Sequence, residues 1–214
     1  AQISINLNDY KTSSIHNVFD AACILAAERG LRVTGSELVG LVPLDAIISA
    51  GKHYLHKQNA IEGVPENEII ECAVQSLGLN DLKSFNPHKK IIEYAISKEK
   101  NKLVNLPVRG FLDEVSSKSP APGGGSVSAL LGSNGASLCS MVASLTYYKK
   151  DFFDLRQKMN DFSKKAQLIK DELIILIDED TNAFNAILNA NRLPSKDKAE
   201  HAIKEKAIKK ANEL

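Results

Sequence analysis

Ser119-Pro120-Ala121-Pro122-Gly123-Gly124-Gly125-Ser126 opens an uncharged segment that runs to Tyr148, with Lys149-Lys150 directly after it. Two prolines restrict the backbone and three glycines free it. Ser126 is then placed to cap the first open N–H groups of a helix beginning at Val127. A backbone-lined, positively polarised helix start suits an anionic or carbonyl-rich ligand, and the same residues also read as a plain glycine turn before a helix. Beyond the turn, Ser128, Gly132, Ala136, Ser140 and Ser144 recur at every fourth position and share one helix face. Side chains this small let a second helix approach closely, so the segment reads as a buried helix of a packed bundle, within one subunit or across a dimer. Its serines and Asn134 make it too polar for a lipid span, and no aromatic belt flanks both ends.

Downstream, Leu155, Met159, Phe162, Ala166, Ile169, Leu173 and Leu176 alternate four- and three-residue steps, the spacing of a packed helix seam. The next position on that line is Asp180, and Ala183, Ile187 and Ala190 continue it, while Asp178 lies off it. A carboxylate in a buried seam has its charged form disfavoured, which suits proton transfer near neutral pH. The alternative is that the helix breaks over Asp178-Glu179-Asp180-Thr181-Asn182 and Asp180 caps a new one.

Upstream the construction changes. Ile3, Ile5 and Leu7 alternate with Gln2, Ser4 and Asn6 as in a half-buried strand over Ala1 to Leu7, and Leu31 to Val42 reads as a second strand interrupted by Gly35 and Gly40. Between them Ser14 caps a helix with an apolar face of Ile15, Val18, Phe19, Ala22 and Ala26, ended by Gly30. Pro43 starts a helix through about His56, and Pro65 starts another up to Gly78. Strand, helix, strand, helix predicts an α+β N-terminal subdomain, a layered sheet with helices, followed by an all-α helical bundle domain. The lysine-rich Ser97 to Lys102 stretch reads as a solvated helix end or linker. It places the boundary near Asn101 to Pro107.

At 214 residues and 43% hydrophobic content the chain is long and apolar enough for a proper core. A formal net charge of +1, with lysines spread among acids, gives no electrostatic case for nucleic acid. Cys23, Cys72 and Cys139 are odd in number and widely spaced on helical faces, which predicts reduced core thiols and neither a disulfide nor a metal site. With no signal peptide in view the cytoplasm is the default. The start at Ala1-Gln2 and the stop at Leu214, each inside a structured pattern, are those expected of a piece of a longer protein.

Five separated motifs, in order, carry a resemblance. Phe111-Leu112-Asp113-Glu114-Val115, Pro120 to Val127, Ser140-Met141-Val142 with Thr146-Tyr147, Asp178-Glu179-Asp180 with Ala183-Phe184, and Arg192-Leu193-Pro194 resemble the formiminotetrahydrofolate cyclodeaminase family. Ala1-Gln2-Ile3-Ser4-Ile5-Asn6-Leu7 and Arg32-Val33-Thr34-Gly35-Ser36-Glu37-Leu38-Val39-Gly40-Leu41-Val42-Pro43 are similar to the C-terminal subdomain of glutamate formiminotransferase. Together they resemble the junction of the bifunctional formiminotransferase-cyclodeaminase family, with residues 1–103 transferase-like and 104–214 a truncated cyclodeaminase-like helical domain.

The resemblance implies an enzyme of histidine degradation and one-carbon metabolism. Formiminoglutamate donates a formimino group to tetrahydrofolate, a polyglutamylated substrate, and the second domain closes 5-formiminotetrahydrofolate to 5,10-methenyltetrahydrofolate with loss of ammonia. No metal, membrane or nucleic acid is implied, and a homo-oligomer through the helical domain is. Asp180 is the implied acid and base, with Asp178 as second candidate. Gly123, Gly124, Gly125, Ser126 and Thr146 are folate positions, and Lys149, Lys150 or Arg192 attract the glutamate tail. Gln2, Asn6 and Glu37 line the transferase cleft. None of His16, His53, His56, His88 or His201 matches the transferase's catalytic histidine, so no transferase activity is expected of this chain alone. Two other readings stay open: a methenyltetrahydrofolate cyclohydrolase, and a non-catalytic helical association module.

Overall fold

The computed structural model describes residues 2–96, 102–195 and 197–212. It divides into two compact units, Ala1–Lys98 with Val142–Lys164, and Glu99–Met141 with Lys165–Leu214. Residues 97–101, where the lysine-rich linker was expected, lie outside the described residues.

In the first unit, α1 (Ile15–Ala27) begins at its expected cap, where the Asn17 N–H donates to Ser14 Oγ at 3.4 Å. Pro43 and Pro65 precede α2 (Leu44–Lys57) and α3 (Glu66–Ser76), at helix entries where the missing N–H costs nothing. From α2, Ala46, Ile47, Ala50, Gly51 and Tyr54 turn inward, and from α3, Ile69, Ile70, Ala73 and Val74. These are the stripes that 3.6-residue periodicity buries. Gly51 sets how closely the helices meet, because a Cβ there would lie 2.1 Å from the Ile69 carbonyl oxygen. The short helices α4 (Leu79–Leu82), α5 (Pro87–Lys90) and α6 (Ile92–Ile96) follow, and Leu79, Phe85 and Ile91 complete the core.

The expected sheet is absent. Among the described residues there is no strand, only an isolated parallel bridge between Val42 and Ile91, so the α+β subdomain is corrected to a helical one. The reason lies in where the backbone groups of residues 31–41 go. The Ser36 N–H donates to Gly78 O at 3.2 Å and its hydroxyl to Leu77 O at 2.6 Å, answering open carbonyls at the end of α3. Lys90 Nζ donates to Leu38 O and Gly40 O. Gly35 is a close approach, as its interruption of the pattern suggested, since a Cβ would lie 2.8 Å from Asp81 Cβ. Helix ends and an ammonium take the hydrogen bonds a neighbouring strand would have taken. Residues 2–7 have no ladder either, and Ile3 and Ile5 are mostly exposed. Cys139 is exposed, which corrects its reading as a core thiol.

Between α1 and α2 the His16 ring stacks on His53 with centroids 4.3 Å apart. Asp20 accepts from Lys57 Nζ at 2.8 Å and Tyr54 Oη at 3.2 Å, and His53 Nε2 lies 3.0 Å away. Burial, and then the neighbouring His53, hold the buried His16 imidazole below its ordinary value against the opposing pull of Asp20. A histidine with a depressed folded pKa takes up its proton only in the unfolded chain as pH falls through about 6.5, so stability falls over that window. Burial opposes the Asp20 charge, but Lys57 and His53 hold its carboxyl below the carboxylate range, so Asp20 acts only at lower pH. We expect urea unfolding to show a loss of stability between about pH 7.5 and pH 5.5 that shrinks in His16→Phe. An equal loss in both proteins contradicts the assignment.

The second unit holds a 3-10 turn (Leu103–Asn105), α7 (Val108–Val115), most of α8 (Gly124–Tyr147), the later part of α9 (Arg156–Asn191) and α10 (Lys198–Ala211). Its core is Phe111, Ala129 and Ile177, with Leu103, Val104, Val115, Val127 and Leu130 packed against it. The buried residues of α8 here are Ser126, Ala129, Ser133 and Ser140. Gly132 sits against Leu173, whose Cδ1 would be 3.0 Å from a Cβ. Ser140 Oγ accepts from Gln167 Nε2 at 2.9 Å, and the Ser133 hydroxyl donates to Lys170 O at 3.4 Å. The small-residue face is therefore answered at these positions by α9 of the same chain. Among the described residues no helix is long and apolar enough to cross a membrane.

Candidate active site

Helix α8 begins at Gly124, so Ser126 lies inside its first turn and is not the cap expected at Val127. None of Gly123, Gly124 and Gly125 has a positive φ. The cap comes from α9: Asp180 Oδ2 accepts the Ser126 N–H at 2.9 Å and lies 3.0 Å from Ser126 Oγ. A carboxylate belongs at this end of a helix, where open N–H groups and the helix dipole favour negative charge. Ser126 is fully buried; its hydroxyl can donate to Ile177 O at 2.8 Å or to Asp180 Oδ2, and it lies 3.0 Å from Thr181 Oγ1, either hydroxyl being able to donate to the other. This network fixes one carboxylate oxygen. The other, Oδ1, lies where a Cβ on Gly125 would stand, 2.1 Å from it, so only glycine at 125 leaves the carboxylate its place.

Beside this carboxylate is a cleft of about 460 Å³ lined by Gly125, Ser128, Ala129, Leu173, Leu176, Glu179, Asp180 and Ala183. Leu173, Leu176, Asp180 and Ala183 are the residues expected as a buried seam. They form the wall of an open cleft, and Asp180 itself is exposed. That overturns the premise of a carboxylate sealed in a greasy line. The buried residues of α9 are Asn160, Ser163, Ala166, Ile177 and Ala190. Helix α9 runs unbroken through 178–182, so Asp180 caps α8 and not a new helix after a break.

The two acids separate by partner. Asp178 Oδ1 accepts the Leu103 N–H at 2.8 Å and so anchors the turn at Leu103–Asn105, and Asp178 is not among the residues lining the cleft. Glu179 does line it, and Thr181 reaches Ser126, yet neither was singled out beforehand. The available signal was the i, i+3, i+4, i+7 set Leu176, Glu179, Asp180 and Ala183.

Other expected positions are not among the residues that line the cleft. Gly123 and Gly124 have nothing within 4 Å of a Cβ. Thr146, Lys149 and Lys150 belong to the first compact unit, where the Thr146 hydroxyl donates to Val142 O at 2.8 Å. Arg192 is exposed just past α9 and is not a lining residue. Gln2 and Asn6 are exposed on a segment without a ladder. Glu37 pairs at 3.7 Å with Lys83, and the strand face predicted for Gln2, Ser4 and Asn6 does not form. Among the described residues no three His, Cys, Asp or Glu side chains converge as metal ligands.

Comparison with known proteins accounts for both parts of the chain. Residues 107–213 match the family model described as formiminotransferase-cyclodeaminase, and residues 1–97 match the formiminotransferase domain. The chain belongs to the formiminotransferase-cyclodeaminase family. It is 39% identical over 196 residues to formimidoyltransferase-cyclodeaminase of Sus scrofa, covering 91% of this chain and 36% of that protein. To the Dictyostelium discoideum formimidoyltransferase-cyclodeaminase it is 39% identical over 214 residues, 99% of this chain and 40% of that protein. A methenyltetrahydrofolate cyclohydrolase of Methylorubrum extorquens is 34% identical over 107 residues, half of each chain. The chain thus spans well under half the length of the formiminotransferase-cyclodeaminase relatives it matches. Its Asp180 carboxylate and cleft lie in the part matched by the formiminotransferase-cyclodeaminase model.

Proposed function

We propose that the cleft beside Asp180 closes 5-formiminotetrahydrofolate to 5,10-methenyltetrahydrofolate with release of ammonia, as one half of a bifunctional enzyme that also transfers the formimino group from formiminoglutamate. The observation that carries this reading is a carboxylate with one oxygen held at a helix start, on a residue that lines a cleft. In the reaction the formimino group enters as its protonated amidinium, folate N10 bonds to its carbon and brings a proton, and the former iminium nitrogen, now an NH2 group, must gain that proton before its C–N bond breaks. A single carboxylate that takes the N10 proton and returns it to the departing nitrogen balances the step, with ammonia carrying the electron pair away. Leu173, Leu176 and Ala183 offer an apolar wall for a flat ring, and the α8 start offers N–H groups to its carbonyl edge.

The transferase-like and cyclodeaminase-like parts are proposed to meet near residue 104, between the two family-model matches. Lys149, Lys150 and Arg192 remain proposed contacts for a polyglutamate tail, in a cytoplasmic enzyme. Self-association of the helical half is proposed to use its exposed apolar side chains, Leu131, Leu138, Leu168 and Ile175, each more than half exposed. The cyclohydrolase likeness favours a second reading, in which water opens the methenyl ring in the same cleft.

Ser128 is exposed and lines the cleft, so Ser128→Trp fills it without touching the core. In a protein carrying this chain at the relatives' full length, ammonia release from 5-formiminotetrahydrofolate is expected to be lost while formimino transfer continues. Unchanged ammonia release places the reaction elsewhere. Ring hydrolysis without ammonia release supports the second reading.

A further inference from the structure

We infer that residues 59–63 are a docking seat for the end of the α8–α9 hairpin, and that through it the transferase-type stretch recognises the cyclodeaminase-type stretch of the same chain. Both partners lie within the first compact unit. The seat belongs to residues 1–97 and the hairpin end to residues 107–213, so the contact crosses the family-model boundary inside one packed body.

The seat is read group by group. The Tyr147 hydroxyl donates to Asn59 O at 3.2 Å, and Asn59 holds a φ of +52°, a left-handed conformation asparagine tolerates better than most residues. The Ile61 N–H donates to Tyr148 Oη at 3.2 Å, and the Glu62 N–H to Asn160 Oδ1 at 2.8 Å. The Ser163 hydroxyl donates to Gly63 O at 2.5 Å, and Lys164 Nζ pairs with Glu62 at 2.7 Å. Asn160, Ser163 and Lys164 share one face of α9 by their i, i+3, i+4 spacing. At Gly63 the approach is backbone to backbone, since a Cβ would stand 2.4 Å from the Lys164 nitrogen.

Burial separates this from a surface brush. Ile61 is 3% exposed, Asn160 6% and Ser163 0%. A tether joining two independent domains would leave such polar groups to water. Here a buried asparagine and a buried serine answer main-chain groups of a loop 98 and 100 residues earlier. Paired in this way they make the contact specific, because buried polar groups are costly unless paired. The hairpin end is itself preformed: Arg156 Nε donates to Tyr147 O at 3.0 Å, and its guanidinium lies over the Tyr147 and Phe153 rings at 5.3 and 4.6 Å. The partner that fits the seat is therefore a two-helix hairpin end presenting paired tyrosines and an Asn-x-x-Ser-Lys face.

The test is hydrogen exchange and thermal unfolding of the full chain, in wild type and in the double variant Asn160→Ala with Ser163→Ala, which removes two side-chain partners and adds no bulk. We expect the Ile61 and Glu62 amides to be protected in wild type and to exchange at least tenfold faster in the double variant. The amides of Ile47 and Ala73, in the α2–α3 core, should keep their protection, and unfolding should separate into two transitions. Gly63→Val should act in the same direction more strongly. Unprotected Ile61 and Glu62 amides in wild type overturn the inference. So do a single transition in the double variant and a loss of Ile47 and Ala73 protection alongside Ile61.

Discussion

Gly125→Ala is expected to leave the protein folded and to slow cyclisation about 100-fold, the cost typical of displacing a catalytic group by about 1 Å. The new methyl would overlap Asp180 Oδ1, with the carboxylate carbon 2.5 Å away. The side chain must swing off the α8 start, taking its reactive oxygen from its place. Stability should change little, because alanine in a helix is favoured over glycine by roughly 0.5–1 kcal/mol. Losing the carboxylate cap costs a similar amount, about 1 kcal/mol. Gly124→Ala is the matched control, since a Cβ at 124 meets nothing within 4 Å. It should keep full activity and gain slightly in stability. Turnover is measured in the full-length protein with 5-formiminotetrahydrofolate. If Gly125→Ala cyclises at the wild-type rate, the position of the Asp180 carboxylate does not matter to the reaction.

How much of this was legible in the sequence depended on whether the signal was local. The cap at Ser14 and the helix entries after Pro43 and Pro65 are settled by a few neighbouring residues, and the structure keeps all three. The long helices around Gly132 and Leu173 were likewise legible from composition and period. A strand is different, because alternation describes one edge and a ladder needs a second. Leu31 to Val42 carried a strand-like pattern, but Ser36 and Leu38 found their partners at Leu77, Gly78 and Lys90.

The seam on α9 failed for a packing reason. Of the expected line, Ala166 and Ala190 are buried, but Phe162, Ile169 and Leu176 are near half exposed, and the other buried positions are Asn160, Ser163 and Ile177. Where close contacts are made by small residues, large apolar side chains are pushed to the flanks, and greasiness then marks the wrong face. Asp180 came from that line and lies in the cleft all the same, because the same periodicity placed it beside Leu173, Leu176 and Ala183. Lys149 and Lys150 were named for their charge, although no spacing tied them to the cleft.

Asp180→Asn should separate chemistry from architecture. An asparagine side-chain oxygen accepts the Ser126 N–H as the carboxylate does, and Asn and Asp cap helices about equally, so folding and folate affinity should persist. What the amide cannot do is take the N10 proton and return it to the departing nitrogen. Cyclisation should therefore fall by roughly 10²- to 10⁴-fold. Asp178→Asn is the comparison, because Asp178 anchors the Leu103 N–H, a role asparagine fills, and its turnover should stay near wild type. The decisive measurement is single-turnover release of ammonia from 5-formiminotetrahydrofolate by full-length protein carrying each substitution, with tetrahydrofolate affinity recorded alongside. A slow Asp180→Asn, an active Asp178→Asn and unchanged affinity in both are the predicted result. An active Asp180→Asn with a slow Asp178→Asn would show that the carboxylate at the α8 start is a structural cap and that the wrong acid has been assigned the proton.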